Sequence, residues 1–426
     1  MNRKRSPDIK DATDFTLHLP AYESFHLKNN IPVYLVASNE QETLEIQWVF
    51  QAGNWYEASP MTASSANALL KSGTTRQTAL EIDETIEYYG AFLSMRCHHE
   101  VASLTLHCLE KQLDHLLPVI REMLSASTYP EEELALYKQN KKQQLAVNLK
   151  KNDFVANQRI DTYLFGDYHP YGRHSTMGAY DDLQRTGLQA FFKQYYSFNH
   201  CRIFAAGKIS DQFEQKLNTF FGDAWSEEQQ LLQKDFPLQP ALEKRHRINN
   251  NAAESVQGAV RIAAPFPNRY HPDVPGMQVL NTIFGGYFGS RLMRNIREDK
   301  GYTYGIFSYL SLMSQGGSLM IQTEAGKEVC EQVIEEVFKE MQLLCETPVA
   351  EAELTLVRNY LIGNLLGDLD GCFKIIRYWK NLLLADLDAS HFNRSVEVIK
   401  TISAEELMAL AQKYFKRDDF YELLVL

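Results

Sequence analysis

The chain has 426 residues, of which 45% are apolar and 23% are charged, close to the averages of soluble globular proteins. This composition excludes a disordered chain, a collagen-like repeat and a small disulfide scaffold, and the length predicts two or three domains. The 54 acidic and 43 basic side chains give a net charge of −11, which repels phosphate, so we do not expect a nucleic-acid-binding protein.

The sequence also predicts where the protein resides. No apolar run approaches the ~20 residues that cross a bilayer. The N-terminus is basic but lacks the apolar region of a secretory signal. Six scattered cysteines without a C-x-x-C pair are typical of a reducing compartment. Together these features predict a cytoplasmic protein with no role in a membrane.

Predicted elements of the first half mix strands and helices. The runs 31–38 and 43–53 are rich in β-branched and aromatic residues, which predicts two strands. Residues 102–109 alternate between apolar and polar, and they lead into a predicted helix from Glu110 to Ser125. The apolar stripe of this helix comprises Leu113, Leu116, Leu117, Ile120 and Leu124.

The second half repeats the pattern of the first. Its predicted strands are 255–266 and 317–325. Residues 121–123 (REM) and 339–341 (KEM) each close an amphipathic run, and they lie 218 positions apart. Pro130 and Pro348, each leading an acidic helix start, have the same spacing. A repeat of half the chain length indicates an internal duplication.

We therefore predict an α+β protein of two homologous αβ domains, each a mostly antiparallel sheet with helices covering one face. The predicted domains are residues 1–227 and 246–426. The intervening segment 228–245 is polar and contains two prolines, as expected of a linker.

The most informative stretch is residues 281–310. Glycines loosen the entry to a predicted helix, Gly301 ends it in a turn, and a strand is predicted to start near Thr303. Arg297 at the helix end and Tyr304 at the strand start can then come together across the turn. A guanidinium and a phenol so placed offer several hydrogen-bond donors to a peptide carbonyl or its oxyanion.

At these residues the chain resembles the pitrilysin/insulinase metallopeptidases, a group that includes the mitochondrial processing peptidases and the core proteins of the cytochrome bc1 complex. The residues that carry the resemblance are Gly286, Ser290-Arg291-Leu292, Ile296-Arg297-Glu298 and Gly301-Tyr302-Thr303-Tyr304, together with the segment 165–178. The resemblance implies the processing-peptidase-like (LuxS-like metallohydrolase) fold for both halves. It also implies that Arg297 and Tyr304 are the pair that binds substrate in the catalytic cleft.

The zinc motif of active members is degenerate in this chain. Those members carry H-x-x-E-H, in which two histidines bind zinc and the glutamate polarises water, and a second glutamate follows. Counting back from the Gly73-Thr74 anchor puts the histidine positions at Ser64 and Ala68, the base at Asn67 and the distal ligand at Gln144. Serine and glutamine are poor zinc ligands, alanine is none, and an amide cannot serve as the base. We expect no metal or other cofactor in this chain.

His98, His99 and His169 are candidate metal ligands elsewhere in the chain. His98 and His99 are neighbours whose side chains point to opposite faces of an extended segment, so they do not share a metal. His169 belongs to the H-P-Y-G turn of the family and favours a structural role. Ser64 has no recognisable base beside it, which argues against a serine nucleophile.

The resemblance implies a division of labour. In short bacterial members one subunit carries H-x-x-E-H, the other carries the arginine–tyrosine pair, and the two enclose a substrate chamber. The expected partners are therefore a homologous zinc-bearing subunit and a peptide substrate, with zinc in the partner. The strand through residues 91–94 corresponds to the edge strand that pairs with peptide in active halves, but Ser94 replaces its usual asparagine, which weakens that role.

A different class of function stays open, in which the chain is an inert scaffold or peptide-binding homologue like the core proteins, possibly as a homodimer. The intact segment 285–304 favours the peptidase subunit over the scaffold. A third hypothesis, that the chain is a zinc peptidase by itself, is not favoured because the zinc ligands are missing.

Overall fold

The computed structural model describes residues 11–232, 234–250 and 256–426, so most of the basic N-terminus considered above lies outside the described residues. The strands are β1 (Glu23–His26), β2 (Pro32–Ala37), β3 (Thr43–Phe50), β4 (Phe92–Cys97), β5 (Ala102–Leu109), β6 (Cys201–Gly207), β7 (Arg245–Ile248), β8 (Gln257–Phe266), β9 (Thr303–Leu312), β10 (Gly317–Gly326) and β11 (Tyr421–Val425). The α-helices are α1 (Thr62–Ala68), α2 (Ala79–Tyr88), α3 (Leu113–Ala126), α4 (Glu131–Asn148), α5 (Asn152–Phe165), α6 (Met177–Asp181), α7 (Arg185–Tyr195), α8 (Phe213–Phe221), α9 (Val274–Asn281), α10 (Cys330–Glu346), α11 (Glu351–Asp368), α12 (Cys372–Leu384), α13 (Ala389–Thr401) and α14 (Ala404–Tyr414).

The two halves share one sheet topology. The strand order is β1-β2-β6-β3-β5-β4 in the first sheet and β7-β11-β8-β10-β9 in the second. Without β1 the two orders correspond strand for strand. In each sheet one pair is parallel, β2 with β6 and β7 with β11, and the other pairs are antiparallel. The predicted α+β fold of two homologous, mostly antiparallel units is confirmed.

Each half has its own hydrophobic core between its sheet and its helices. The predicted apolar stripe of α3 lies fully buried in the first of these cores. The second core also takes in Leu17 from the N-terminal segment, which therefore crosses to the other half. Burial of one apolar face of each helix against the sheet stabilises both layers.

One helix of each half packs on the sheet of the other half, a feature that the sequence did not predict. In α5 the side chains of Val155 and Ile160 pack against β8 and β11. In α12, Cys372 and Ile376 pack against Phe204 and its neighbours on β6 and β3. Each sheet has one face that the helices of its own half do not cover. A helix from the other half covers part of that face, α5 on the second sheet and α12 on the first, and this exchange of helices holds the two halves together.

Charged pairs add to this interface. Arg269 of the second half contacts Glu100 of the first at 3.0 Å, and Arg202 of the first half contacts Asp386 of the second at 3.4 Å. A cavity of about 670 Å³ lies between these two pairs. Neither Arg297 nor Tyr304 lines it.

The segment between the sheets is anchored rather than free. Phe236 packs edge-on against Trp55 at 5.1 Å, and Lys234 donates to the backbone carbonyl of Tyr56 at 2.7 Å. β7 begins at Arg245, the last residue of the predicted linker, and the predicted domain limits stay a prediction. In the described part of the chain no helix is long and apolar enough to span a bilayer.

Candidate functional site

The four residues predicted to occupy the positions of the zinc motif lie on helices. Ser64, Asn67 and Ala68 lie on α1, and Gln144 lies exposed on α4. The Ser64 hydroxyl donates to the carbonyl of Met61 at 3.2 Å, a bond within the helix start. Ser64 and Ala68 are one turn apart, the spacing at which a helix face presents two ligands, but neither is a histidine.

Asn67, at the position of the base, is bonded into the core. Its amide nitrogen donates to the Tyr196 hydroxyl at 3.0 Å and to the Ser103 carbonyl at 3.3 Å. An amide that donates both bonds satisfies a buried polar site, and it accepts no proton. Within the described residues, no three or more His, Cys, Asp or Glu side chains are grouped so that they could hold a metal ion.

A buried carboxylate that the sequence analysis overlooked holds the start of α1. Glu57 accepts from the backbone N–H of Ala63 at 2.9 Å and of Met61 at 3.3 Å, and it pairs with Arg173 at 3.2 Å. Burial raises the pKa of Glu57, against the lowering effect of these bonds. The sequence did hold a signal for this role, because an acidic residue just before the start of a helix is favoured by the helix dipole. Glu57 and Arg173 therefore fix the start of α1, the helix that carries Ser64, Asn67 and Ala68.

Of the three histidines considered as metal ligands, His99 and His169 are packed against other parts of the protein. His99 shares a hydrogen bond with the Asn54 side chain at 3.1 Å, and Nδ1 of His169 accepts from the backbone N–H of Tyr171 at 3.1 Å. Burial lowers the pKa of His98 and of His99, and it lowers that of His169 to about 4. The lowered pKa values favour the neutral form of these rings, and His99 and His169 lie in polar or aromatic packing.

The segment that carries the arginine–tyrosine pair is helical but locally widened. After α9 the chain forms two π-helical turns, Thr282–Gly286 and Met293–Asp299; the predicted helix that carries Arg297 is present, but it is π-helical over most of its length. Such turns are frequent at functional sites. Arg291, between them, forms two bonds to Glu353, at 3.0 and 2.8 Å, which tie the segment to α11.

A tight turn then joins the widened helix to β9. Gly301 has a φ of +66°, a conformation that favours glycine, and the N–H of Tyr302 donates to the carbonyl of Ile296 at 3.0 Å. β9 begins at Thr303, as predicted, and it is the edge strand of the second sheet. Tyr304 consequently stands at the start of an edge strand.

The structure brings Arg297 and Tyr304 together. The guanidinium carbon lies 5.7 Å from the centre of the Tyr304 ring and 4.5 Å from that of Phe288. The Arg297 side chain is 28% exposed, and Tyr304 is 90% exposed. Neither residue belongs to a hydrophobic core.

Within the part of the chain that the structure describes, the polar atoms of this pair have few partners. Arg297 contacts Glu298 at 3.9 Å, a weak pairing with its chain neighbour. Among the described residues, neither the guanidinium nor the Tyr304 hydroxyl makes a hydrogen bond of ordinary length. A guanidinium has five N–H donors and a phenol one, so the pair can bind a carbonyl or carboxylate oxygen from outside.

The predicted edge strand of the first half also has the expected place. β4 pairs with β5 alone, with Ser94 opposite Thr105, and it forms the outer edge of the first sheet. Its free backbone edge could accept an extended peptide. Whether a peptide binds there stays a prediction.

Comparisons with known proteins agree with this architecture. Residues 182–361 match the family described as "Peptidase M16 inactive domain". An uncharacterized zinc protease of Bacillus subtilis is 23% identical over 353 residues, with 81% of this chain and 83% of the relative covered. One from Rickettsia felis is 24% identical over 345 residues, covering 80% and 82%.

Solved structures show the same fold. A peptidase M16 inactive domain from Pseudomonas fluorescens superposes with a TM-score of 0.81 at 21% identity, covering 95% of this chain and 98% of that one. A protease from Helicobacter pylori superposes with a TM-score of 0.86 at 15% identity, covering 96% and 100%. Residues 182–361 thus match the M16 family, and the solved M16 inactive domain shares the fold of nearly the whole chain. The chain is similar to zinc proteases over most of its length.

Proposed function

We propose that this chain is the non-zinc, substrate-binding subunit of a heterodimeric zinc metallopeptidase, and that Arg297 and Tyr304 act in the active site of a homologous zinc-bearing partner. One observation carries the proposal. Arg297 is partly exposed and lies beside the exposed Tyr304, and within the described residues the two side chains have no hydrogen-bond partner, whereas the positions expected to bind zinc in this chain are occupied by Ser64, Ala68 and Gln144. An adjacent arginine and tyrosine with unoccupied donors could act at a metal site that another chain supplies.

In this role the chain's residues bind and orient the substrate. The partner's zinc would activate the attacking water. Arg297 and Tyr304 would donate to the carbonyl oxygen of the scissile bond and would stabilise the negative charge that develops on it. Donors fixed in advance at such an oxygen contribute ~10²–10³ in turnover each. We expect the chain alone to lack peptidase activity and to bind no stoichiometric zinc.

The proposal is tested by reconstitution. The chain is co-expressed with a homologous H-x-x-E-H chain from the same organism, and cleavage of a quenched fluorescent peptide is followed. Arg297→Ala and Tyr304→Phe should each lower turnover by ~10²-fold. Arg394→Ala on α13 and Tyr88→Phe on α2 alter exposed residues away from the pair and should retain wild-type rates.

Size-exclusion chromatography of each variant separates loss of chemistry from loss of assembly. An intact heterodimer with low turnover supports the proposal. Wild-type turnover from both pair variants would contradict it and would favour the scaffold function. A heterodimer that fails to form with the wild-type chain would also contradict it.

A further inference from the structure

The loop between the two π-helical turns has a shape that presents Phe288 to solvent. The Tyr287 ring packs on Tyr360 of α11, with 4.8 Å between ring centres, and the Ser290 N–H donates to the Tyr287 carbonyl at 3.1 Å. A Cβ on Gly289 would lie 2.8 Å from the Tyr287 ring, so this position accommodates only glycine without a shift. With Tyr287 packed inward, Phe288 points outward and is 60% exposed.

Stacking, rather than hydrogen bonding, sets the position of Arg297. Its guanidinium carbon lies over the Phe288 ring at 4.5 Å, closer than to Tyr304. The neighbouring Arg291 is instead fixed by two bonds to Glu353. A cation over an aromatic face is attracted to the ring, and its N–H donors at the edge stay free for another acceptor.

We infer that Phe288 is a positioning residue for Arg297, an inference that rests on the proposed function. The ring holds the guanidinium beside Tyr304 without using its donors. A carboxylate in place of Phe288 would hold Arg297 more tightly but would occupy those donors. The arrangement therefore leaves the donors available to a hydrogen-bond acceptor, which in the proposed function is the carbonyl oxygen of a peptide.

A spectroscopic experiment tests the contact without any partner. The chain is labelled with ¹³C,¹⁵N-arginine, and the Arg297 signals are identified by their loss in Arg297→Lys. Ring currents from Phe288 should displace these signals from those of exposed arginines. Phe288→Leu should remove most of the displacement, and Phe288→Trp should retain one. Phe15→Leu, a change of an exposed ring in the N-terminal segment, should have no effect. Unchanged Arg297 signals in Phe288→Leu would overturn the inference.

A kinetic experiment tests the consequence in the reconstituted heterodimer. Phe288→Leu should lower kcat/KM by ~2–5-fold, the factor that corresponds to one exposed cation–π contact, and Phe288→Trp should restore it. In an Arg297→Ala background, Phe288→Leu should have no further effect, because the two residues act as a unit. A full additional loss in that background would contradict positioning.

The two experiments separate the inference from the proposed function. If Arg297→Ala is as active as wild type, the proposed function fails, whatever the spectra show. If Arg297→Ala is impaired while Phe288→Leu is not, the proposed function stands and the positioning role of Phe288 is refuted.

Discussion

The guanidinium of Arg297 and the ring of Tyr304 are neighbours because the turn between them reverses the chain at Gly301. The guanidinium carbon lies 5.7 Å from the ring centre although the residues are seven positions apart. The turn needs the positive φ of Gly301, yet a Cβ there would meet no atom within 4 Å. Glycine is therefore needed at position 301 because of the positive φ, and not because a side chain would collide with its neighbours.

Gly301→Ala should consequently destabilise the fold by ~1–2 kcal/mol, the cost of a left-handed conformation for an L-residue. Gly363 provides the matched control, since it lies within α11 and its Cβ also has open space. Gly363→Ala should instead stabilise the fold by about 0.5–1 kcal/mol, because alanine favours a helix. Urea unfolding measures both free energies. A shift of the same sign in the two variants would contradict this account of the turn.

Restoring the family's glutamate at Asn67 should be destabilising. A carboxylate there would lose the donor that the Ser103 carbonyl and the Tyr196 hydroxyl now receive. Leaving buried groups without their bonds costs about 1–3 kcal/mol. Gln144→Glu, at an exposed position on α4, is the control and should change the free energy of unfolding by less than ~0.5 kcal/mol. Equal stability of Asn67→Glu and Gln144→Glu would show that the hydrogen bonds of Asn67 do not stabilise the packing of α1.

Asp161 predicts a distinct pH dependence of stability. Burial raises its pKa from 3.8 to about 7, while Arg261 opposes this only in part, because that guanidinium already bonds Asn157 and Asp153. A carboxylate with a raised folded pKa favours folding most while it is protonated, so its ionisation removes stability as pH rises from about 4 to about 7. Above that range the cost is constant.

Asp161→Asn removes this ionisation. The stability of the variant relative to wild type should grow between pH 5 and pH 7 and should then level off, as measured by urea unfolding at each pH. Asp182→Asn, an exposed change of the same charge, controls for net charge. A relative stability of Asp161→Asn that is the same at pH 5 and pH 8 would contradict the prediction.

The exchange of helices predicts that a core change in one half weakens the other. Ile376 of α12 is 1% exposed and packs with Phe204 and Ala206 of the first sheet. Ile376→Ala should lower the free energy of unfolding by about 2–5 kcal/mol. Hydrogen exchange of the β6 amides should accelerate as well. Leu356→Ala on the exposed face of α11 is the control. Unchanged protection of β6 would mean that α12 does not stabilise the first sheet.

Local patterns were sufficient to predict much of this fold. Alternation predicted β5, the apolar stripe predicted α3, and the repeated spacing predicted two halves of equal topology. The turn at Gly301 and the start of β9 at Thr303 followed from glycine punctuation. These features depend on residues close together in the sequence, which is why pattern reasoning reaches them.

Features that depend on distant contacts were missed. The packing of α5 and α12 on the opposite sheets joins residues far apart in the chain, and either helix alone has an ordinary helical pattern. The ion pair of Glu57, beside α1, with Arg173 also joins residues more than a hundred positions apart. The widening into π-helical turns likewise left no distinct periodicity. The closeness of Phe288 to Arg297 emerged only from the three-dimensional arrangement.

The central claim is that Tyr304 reaches substrate in the partner's zinc site, and site-specific cross-linking tests it most directly. A photoreactive benzoylphenylalanine replaces Tyr304, and the partner's H-x-x-E-H glutamate is changed to glutamine so that bound peptide is not cleaved. On irradiation we expect the chain to cross-link to a labelled peptide only in the heterodimer, and the same group at the exposed Tyr88 should give no cross-link. An absence of cross-linking at position 304 in an assembled, peptide-bound heterodimer would contradict the account.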